Sequence, residues 1–242
     1  MAKLYWFPIS PPSHAARTML EMKGVNYELV HVLPGNQRIH LRLAGFRGGT
    51  VPAMKLDGRR VQGSTNIARE LEAINPEPPL YPHDPGRRRR VEDAERWGDT
   101  ELQGIPRRAF RWAMTKDAGI RRWLAEVDGG MPLPSVAARV SGPVSLYYAR
   151  TVGAKADQVR QDVARLPIVL DRIDELYADK VLTRDHPNAA TIQVLSSVRA
   201  LLGMSDFAEQ VGARSYAPQA RELFPHFPPQ LIPPFVERLG AV

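Results

Sequence analysis

Residues 3–32 read KLYWFPISPPSHAARTMLEMKGVNYELVHV, and three elements can be read from them. KLYWF (3–7) is short and rich in aromatic residues, which predicts a strand. Pro8 and the turn SPPS (10–13) stop it. Residues 13–23 predict a helix, because Ala15, Met19, Leu20 and Met22 make a broad apolar face and Gly24 supplies the C-terminal stop. NYELVHV (26–32) reads as the next strand.

The same reading extends in both directions. QRIHLRLA (37–44) predicts a second helix ending at Gly45. VPAMKL and RVQ are short extended runs joined through Asp57-Gly58, a strong hairpin signal. STNIARELEAI (64–74) predicts a third helix, with Ser64 as a good N-cap and Ile67, Leu71 and Ile74 at helical spacing. The order is therefore β-α-β-α-β-β-α. NPEPPLYPHDPG (75–86) is proline-rich and reads as a linker. Helices are expected beyond it at 87–116, 119–127, 134–150, 155–179 and 188–202. Pro167 should kink or split the fourth of these. The proline-rich tail FPHFPPQLIPPFVERLGAV is expected to pack along the surface. Neither an internal repeat nor a low-complexity tract interrupts the pattern.

The chain has 242 residues, enough to bury a substantial core, and its 43% hydrophobic and 24% charged content is ordinary for a globular protein. No apolar run approaches a membrane span, and the N-terminus lacks the features of a signal peptide, so a cytoplasmic location is expected. There is no cysteine, which excludes disulfides, thiolate metal sites and a cysteine nucleophile. The six histidines (14, 31, 40, 83, 186 and 226) have no metal-ligand spacing, and no metal is expected. The net charge is +7, with Lys only at 3, 23, 55, 116, 155 and 180. The basic residues are scattered among acids, which points to an anion site rather than a nucleic-acid surface. GRRRRVEDAERWGDTE reads as a solvated helix start without the aromatic interleaving of a single-strand binder.

Four stretches together resemble the glutathione S-transferase family. SPPSHAARTMLEMKGVNYELV resembles its S-x-x-S-x-x-x-R-x-x-L-x-x-K-G-x-x-Y-E run, with Arg17, Leu20, Lys23, Gly24, Tyr27 and Glu28 in matching places. TVPAMKLDGRRV is similar to V-P-x-L-x-x-D-G, QGSTNIARELE to E/Q-S-x-A-I-x-x-Y-L, and PNAATIQVLSSVRALL to the helix P-x-x-A-D-I of the second domain. The helical half, through SVAARVSGPVSLYYARTVG, also resembles relatives of membrane-associated prostaglandin E synthase and metaxins, whose usual Cys-Pro-x-Cys is missing here. The resemblance implies a thioredoxin-like α/β domain over residues 1–80 and an all-α domain over residues 87–242. It also implies a small electrophile as partner, a homodimer, and glutathione or another low-molecular-weight thiol as co-substrate; neither nucleic acid nor a membrane is expected as a partner.

By that resemblance Val51 would hold the cysteinyl part of glutathione beside a cis Pro52, which leaves backbone groups free to pair with an extended peptide. Ser64 would bind the γ-glutamyl carboxylate at a helix N-terminus, or simply cap that helix. The family's acid or glutamine before this serine is replaced by Gly63, with Gln62 one step earlier. Ser10 stands where serine-type members carry the catalytic hydroxyl. It or Ser13 would hydrogen-bond the bound thiol and favour its thiolate, or merely cap the helix. Gln37, Arg38, His40 and Arg47 are candidates for the glycyl carboxylate. Arg17 is expected to pair with an acid. Tyr5, Trp6, Phe7, Arg107, Arg108, Phe110 and Trp112 are candidates for lining the second substrate's site, with Arg108 and Trp112 favoured. Asn188 and Thr191 occupy the family's capping box, a folding element. No G-x-S-x-G elbow suggests hydrolase chemistry. The expected activity is transfer of an activated thiol to a hydrophobic electrophile. The alternatives are a ligand-binding module without turnover, or a membrane- or partner-associated protein using its basic face and residues 131–150.

Overall fold

The computed structural model describes residues 1–33, 35–127, 133–229 and 232–239. The first third holds four strands and three helices: β1 (Ala2–Trp6), α1 (Pro11–Met22), β2 (Tyr27–His31), α2 (Gln37–Leu43), β3 (Ala53–Leu56), β4 (Arg59–Gln62) and α3 (Ser64–Ile74). The sheet order is β2-β1-β3-β4. β1 pairs parallel with β2, aligning Leu4 with Leu29, and antiparallel with β3, aligning Leu4 with Met54. The β3–β4 turn has positive φ at both Asp57 (46°) and Gly58 (81°), the twist that a two-residue hairpin turn requires.

α1 begins two residues before the expected start. Ser10 caps it, and Pro11 and Pro12 occupy its first two positions, where missing N–H groups cost nothing to the helix. α1 and α3 cover one face of the sheet, burying Ala16, Leu20, Ile67 and Leu71 against Leu4 and Met54. The other face carries a smaller core of Tyr5, Val32, Leu41, Phe46 and Ala53 under α2.

The remainder is helical: α4 (Pro85–Trp97), a π-helical turn (Gly98–Leu102), α5 (Gly104–Lys116), α6 (Ala118–Val127), α7 (Pro134–Val140), α8 (Gly142–Thr151), α9 (Ala156–Ala178), α10 (Ala189–Leu202), α11 (Ser205–Gly212) and α12 (Ala217–Leu223). Every residue of α10 is buried, and α1, α4, α11 and α12 pack around it. This central helix joins the two layers into one core.

Three expectations change. α9 runs through Pro167 without splitting, because that residue lies on the exposed face, where water can serve the carbonyl one turn earlier, while Leu166, Val169 and Leu170 hold the helix to the core. The expected helix over 134–150 breaks at Ser141, between α7 and α8. The tail does not merely lie on the surface: Phe224, Phe227, Ile232 and Phe235 are buried, and the Phe235 N–H donates to Asp206 Oδ2 at 2.6 Å. Part of the 131–150 stretch, residues 131 and 132, lies outside the described residues.

Candidate functional site

A cleft of about 680 Å³ opens between the sheet's layer and the helices. One wall carries Phe7, Ser10, Val51, Pro52, Gly63 and Ser64, and the other carries Phe110, Arg111, Tyr147 and Tyr148. Residues more than a hundred positions apart in sequence, such as Ser10 and Tyr148, thus share one cavity.

Ser10 accepts the Ser13 N–H at 3.4 Å as the N-cap of α1. Capping uses a lone pair of the hydroxyl, so its own hydrogen remains available to a ligand. The Ser13 and His14 amides already reach the Ser10 carbonyl at 3.0 and 3.2 Å, and Pro11 and Pro12 have no N–H. The Ser10 hydroxyl is therefore the one donor that this helix end offers. Ser13 does not face the cleft. It is fully buried, and its Oγ accepts the Phe7 N–H at 3.4 Å.

The Val51–Pro52 bond is cis, as expected, and both residues line the cleft. The Pro52 carbonyl accepts the Gly63 N–H at 2.9 Å, which ties the proline turn to the start of α3. Gly63 has φ 90° and caps α3, so Ser64 is the first helical residue rather than the cap. A glycine is required here because L side chains rarely adopt that φ. Ser64, Thr65 and Asn66 all line the cleft, and their amides precede the first intrahelical donor, the Ile67 N–H, which reaches the Gly63 carbonyl at 3.0 Å. This end of α3 has the makings of an anion site.

Gln62, His40 and Arg47 do not line the cleft. Gln62 is occupied at both ends: Oε1 accepts the Gly48 N–H at 3.0 Å and Nε2 donates to the Thr50 carbonyl at 2.7 Å. It fixes the loop that presents Val51. The His40 ring meets Tyr5 edge-on, and Arg47 is exposed. Gln37 and Arg38 of α2 do line the cleft.

The helical wall differs from expectation in a regular way. Arg108 turns inward and grips Asp162 through two hydrogen bonds, at 2.6 and 2.8 Å. Trp112 is buried against Phe235. The neighbours one position away, Arg107 and Arg111, face the cleft with Phe110. Tyr5 and Trp6 belong to the packing beneath it. Arg17 pairs with Glu21 at 2.9 Å and donates to the Tyr27 hydroxyl at 3.0 Å.

Sequence reasoning missed Asp99, Arg111, Tyr147 and Tyr148. Asp99 sits on the π-helical turn and is the one carboxylate among the cleft's lining residues. Burial lowers the pKa of Arg111 and of Arg107, and Asp99 opposes the shift at Arg107. Both stay cationic at neutral pH, since a guanidinium titrates far above it. Among the described residues no group of metal-ligating side chains occurs, and no helix is long and apolar enough to cross a membrane.

Residues 4–79 match the family model of the glutathione S-transferase N-terminal domain. No curated protein sequence matches the chain. A glutathione S-transferase from Rhodospirillum rubrum is 21% identical, with a TM-score of 0.60 over 95% of this chain and 91% of its own. A β-etherase from Sphingobium is 19% identical, with a TM-score of 0.61 over 98% of each chain. A glutathione S-transferase from Methylobacillus flagellatus, solved with glutathione bound, is 17% identical, with a TM-score of 0.53 over 94% of this chain and 93% of its own. Residues 4–79 thus match the N-terminal domain of glutathione S-transferases, and the chain shares the fold of these solved structures over nearly its whole length.

Proposed function

We propose that the cleft binds glutathione, or a thiol of the same build, and turns its sulfur on a small electrophile. The observation that carries this reading is that the Ser10 hydroxyl and the N-terminal amides of α3 line one cavity. A carboxylate of the ligand meets Ser64 and the amides of α3, where the helix dipole favours negative charge. The extended backbone of the thiol passes Val51 beside the cis proline. Asp99 is the acid the cleft offers to an amine, and Gln37 and Arg38 are the donors it offers to a second carboxylate. The bound sulfur reaches Ser10.

A free thiol titrates near 8.5. A hydrogen bond donated by Ser10 stabilises the thiolate more than the thiol and lowers that value. The thiolate then forms the sulfur–carbon bond while the leaving group departs with its electron pair. Proximity in the cleft supplies the rest of the rate. The protein needs no cysteine, because the ligand supplies the sulfur. The electrophile rests on the wall of Phe110, Tyr147 and Tyr148. Two copies of the chain forming a homodimer is part of the same reading, by resemblance to the family.

Ultraviolet titration of the glutathione complex tests the role of Ser10. The thiolate band should appear at lower pH than in free glutathione. In Ser10→Ala it should return toward the free value, with turnover at neutral pH falling about a hundredfold. An unshifted band in the wild-type complex would mean that Ser10 does not activate the thiol.

A further inference from the structure

Helix α5 carries three arginines in five positions, and they have different fates. Arg108 has Asp162 as a bidentate partner. Arg107 and Arg111, one turn apart and so on one face, both line the cleft. Among the described residues no carboxylate forms an ion pair with either. Arg107 bonds the neutral Gln103 Oε1, and Asp99 affects it only at longer range. The Arg111 guanidinium lies 5.0 Å from the centre of the Tyr148 ring and, among the described residues, makes no hydrogen bond or ion pair. Arg107 is exposed and Arg111 half-buried, so both guanidinium groups are open to the cleft, and neither has an acid to satisfy its charge; an anionic ligand would supply one.

We infer that Arg111, with Arg107 beside it, forms an anion-binding arm of the cleft, and that the electrophile is an aromatic molecule bearing a carboxylate. The planar guanidinium fork matches a carboxylate in a bidentate way. Phe110, Tyr147 and Tyr148 supply the apolar wall for the ring. The thiol's own carboxylates have other donors, at the start of α3 and on α2. This inference rests on the proposed thiol-transfer role of the cleft and adds the class of the second substrate.

Calorimetry with 2-naphthoate and 2-naphthamide, with and without saturating glutathione, tests it. The two probes differ in charge and little in shape. The wild-type protein should bind the naphthoate about tenfold more tightly than the amide. Arg111→Gln should abolish that preference and leave naphthamide and glutathione affinities unchanged, and Arg111→Lys should restore part of it. Arg172→Gln, an exposed change on α9, should behave as wild type. Equal affinity of the two probes for the wild-type protein, no binding of either, or a preference that survives in Arg111→Gln would overturn the inference. So would a parallel loss of glutathione affinity in Arg111→Gln, which would assign the arginine to the thiol. If glutathione does not bind at all, the thiol-transfer reading fails, while the naphthoate preference measured without it still decides the fate of the arm.

Discussion

Ser10 and Ser64 could be picked out from sequence, but what each does locally could not. Ser64 looked like a cap until Gly63, at φ 90°, took that place and left the serine on the cleft wall. Ser64→Ala should weaken glutathione binding about tenfold by removing a hydrogen bond to a carboxylate, which calorimetry reads directly. Arg108 and Arg111 were harder still. Both faces of α5 carry arginine and aromatic residues, so helical spacing alone does not say which side, 107 with 111 or 108 with 112, faces the cleft. Two buried titrating residues give a pH signature at the same scale. Glu95 accepts from the Tyr81 hydroxyl at 3.0 Å and Arg69 at 3.3 Å, and burial pushes its carboxyl up to about 7. Its contribution to stability is full below the ordinary 4.5 and is lost as pH rises through 7. His14 is the reverse: its Nε2 donates to the Pro8 carbonyl at 2.7 Å, and burial lowers it from 6.5 to about 4. Its contribution is full above 6.5 and is lost as pH falls through 4. The two oppose each other between those limits. Glu95→Gln should therefore make unfolding free energy rise more steeply with pH over that interval than in wild type, measured by urea denaturation. Parallel pH profiles for the two proteins would argue against this assignment.

At the level of elements, the regular helices and the hairpin were legible because their signals are local. The Asp57-Gly58 turn and the span of α3 follow the sequence reading closely. What the sequence did not show is how the proline-rich segment after α3 is held. Lys23 at the end of α1 is fully buried and donates to Glu72 at 2.5 Å and to the carbonyls of Asn75, Pro76 and Pro78 at 2.7, 3.1 and 2.6 Å. Glu72 also accepts the Leu80 N–H at 2.9 Å. This knot fastens the segment between the layers, and its partners are some fifty positions from the lysine, beyond any local pattern. Lys23→Met should cost about 3–5 kcal/mol of stability, because it leaves Glu72 without its cation. A change under about 1 kcal/mol would show that solvent reaches the knot. Asn188 is comparable on a smaller scale. It caps α10 by accepting the Thr191 N–H at 2.9 Å, while its amide donates to the Val181 carbonyl at 2.8 Å.

At the scale of the whole molecule, the order of elements was readable and their meeting was not. Helices α11 and α12 went unforeseen because at eight and seven residues they are too short to show a helical period, and frequent prolines hide how the tail beyond them is buried. Phe227 reaches His14 on α1, with ring centres 4.7 Å apart, and Phe235 reaches Trp112 on α5 at 6.0 Å. The tail thus helps hold the sheet layer and the helical layer around the cleft. The central claim is that this cleft holds a small thiol. It is tested most directly by titrating the purified protein with glutathione and a panel of other cellular thiols in a calorimeter, beside Ser64→Ala. The account predicts saturable binding of one thiol at micromolar to low millimolar strength, weakened in the variant. Absence of heat with every thiol, in a protein that is folded, would contradict it.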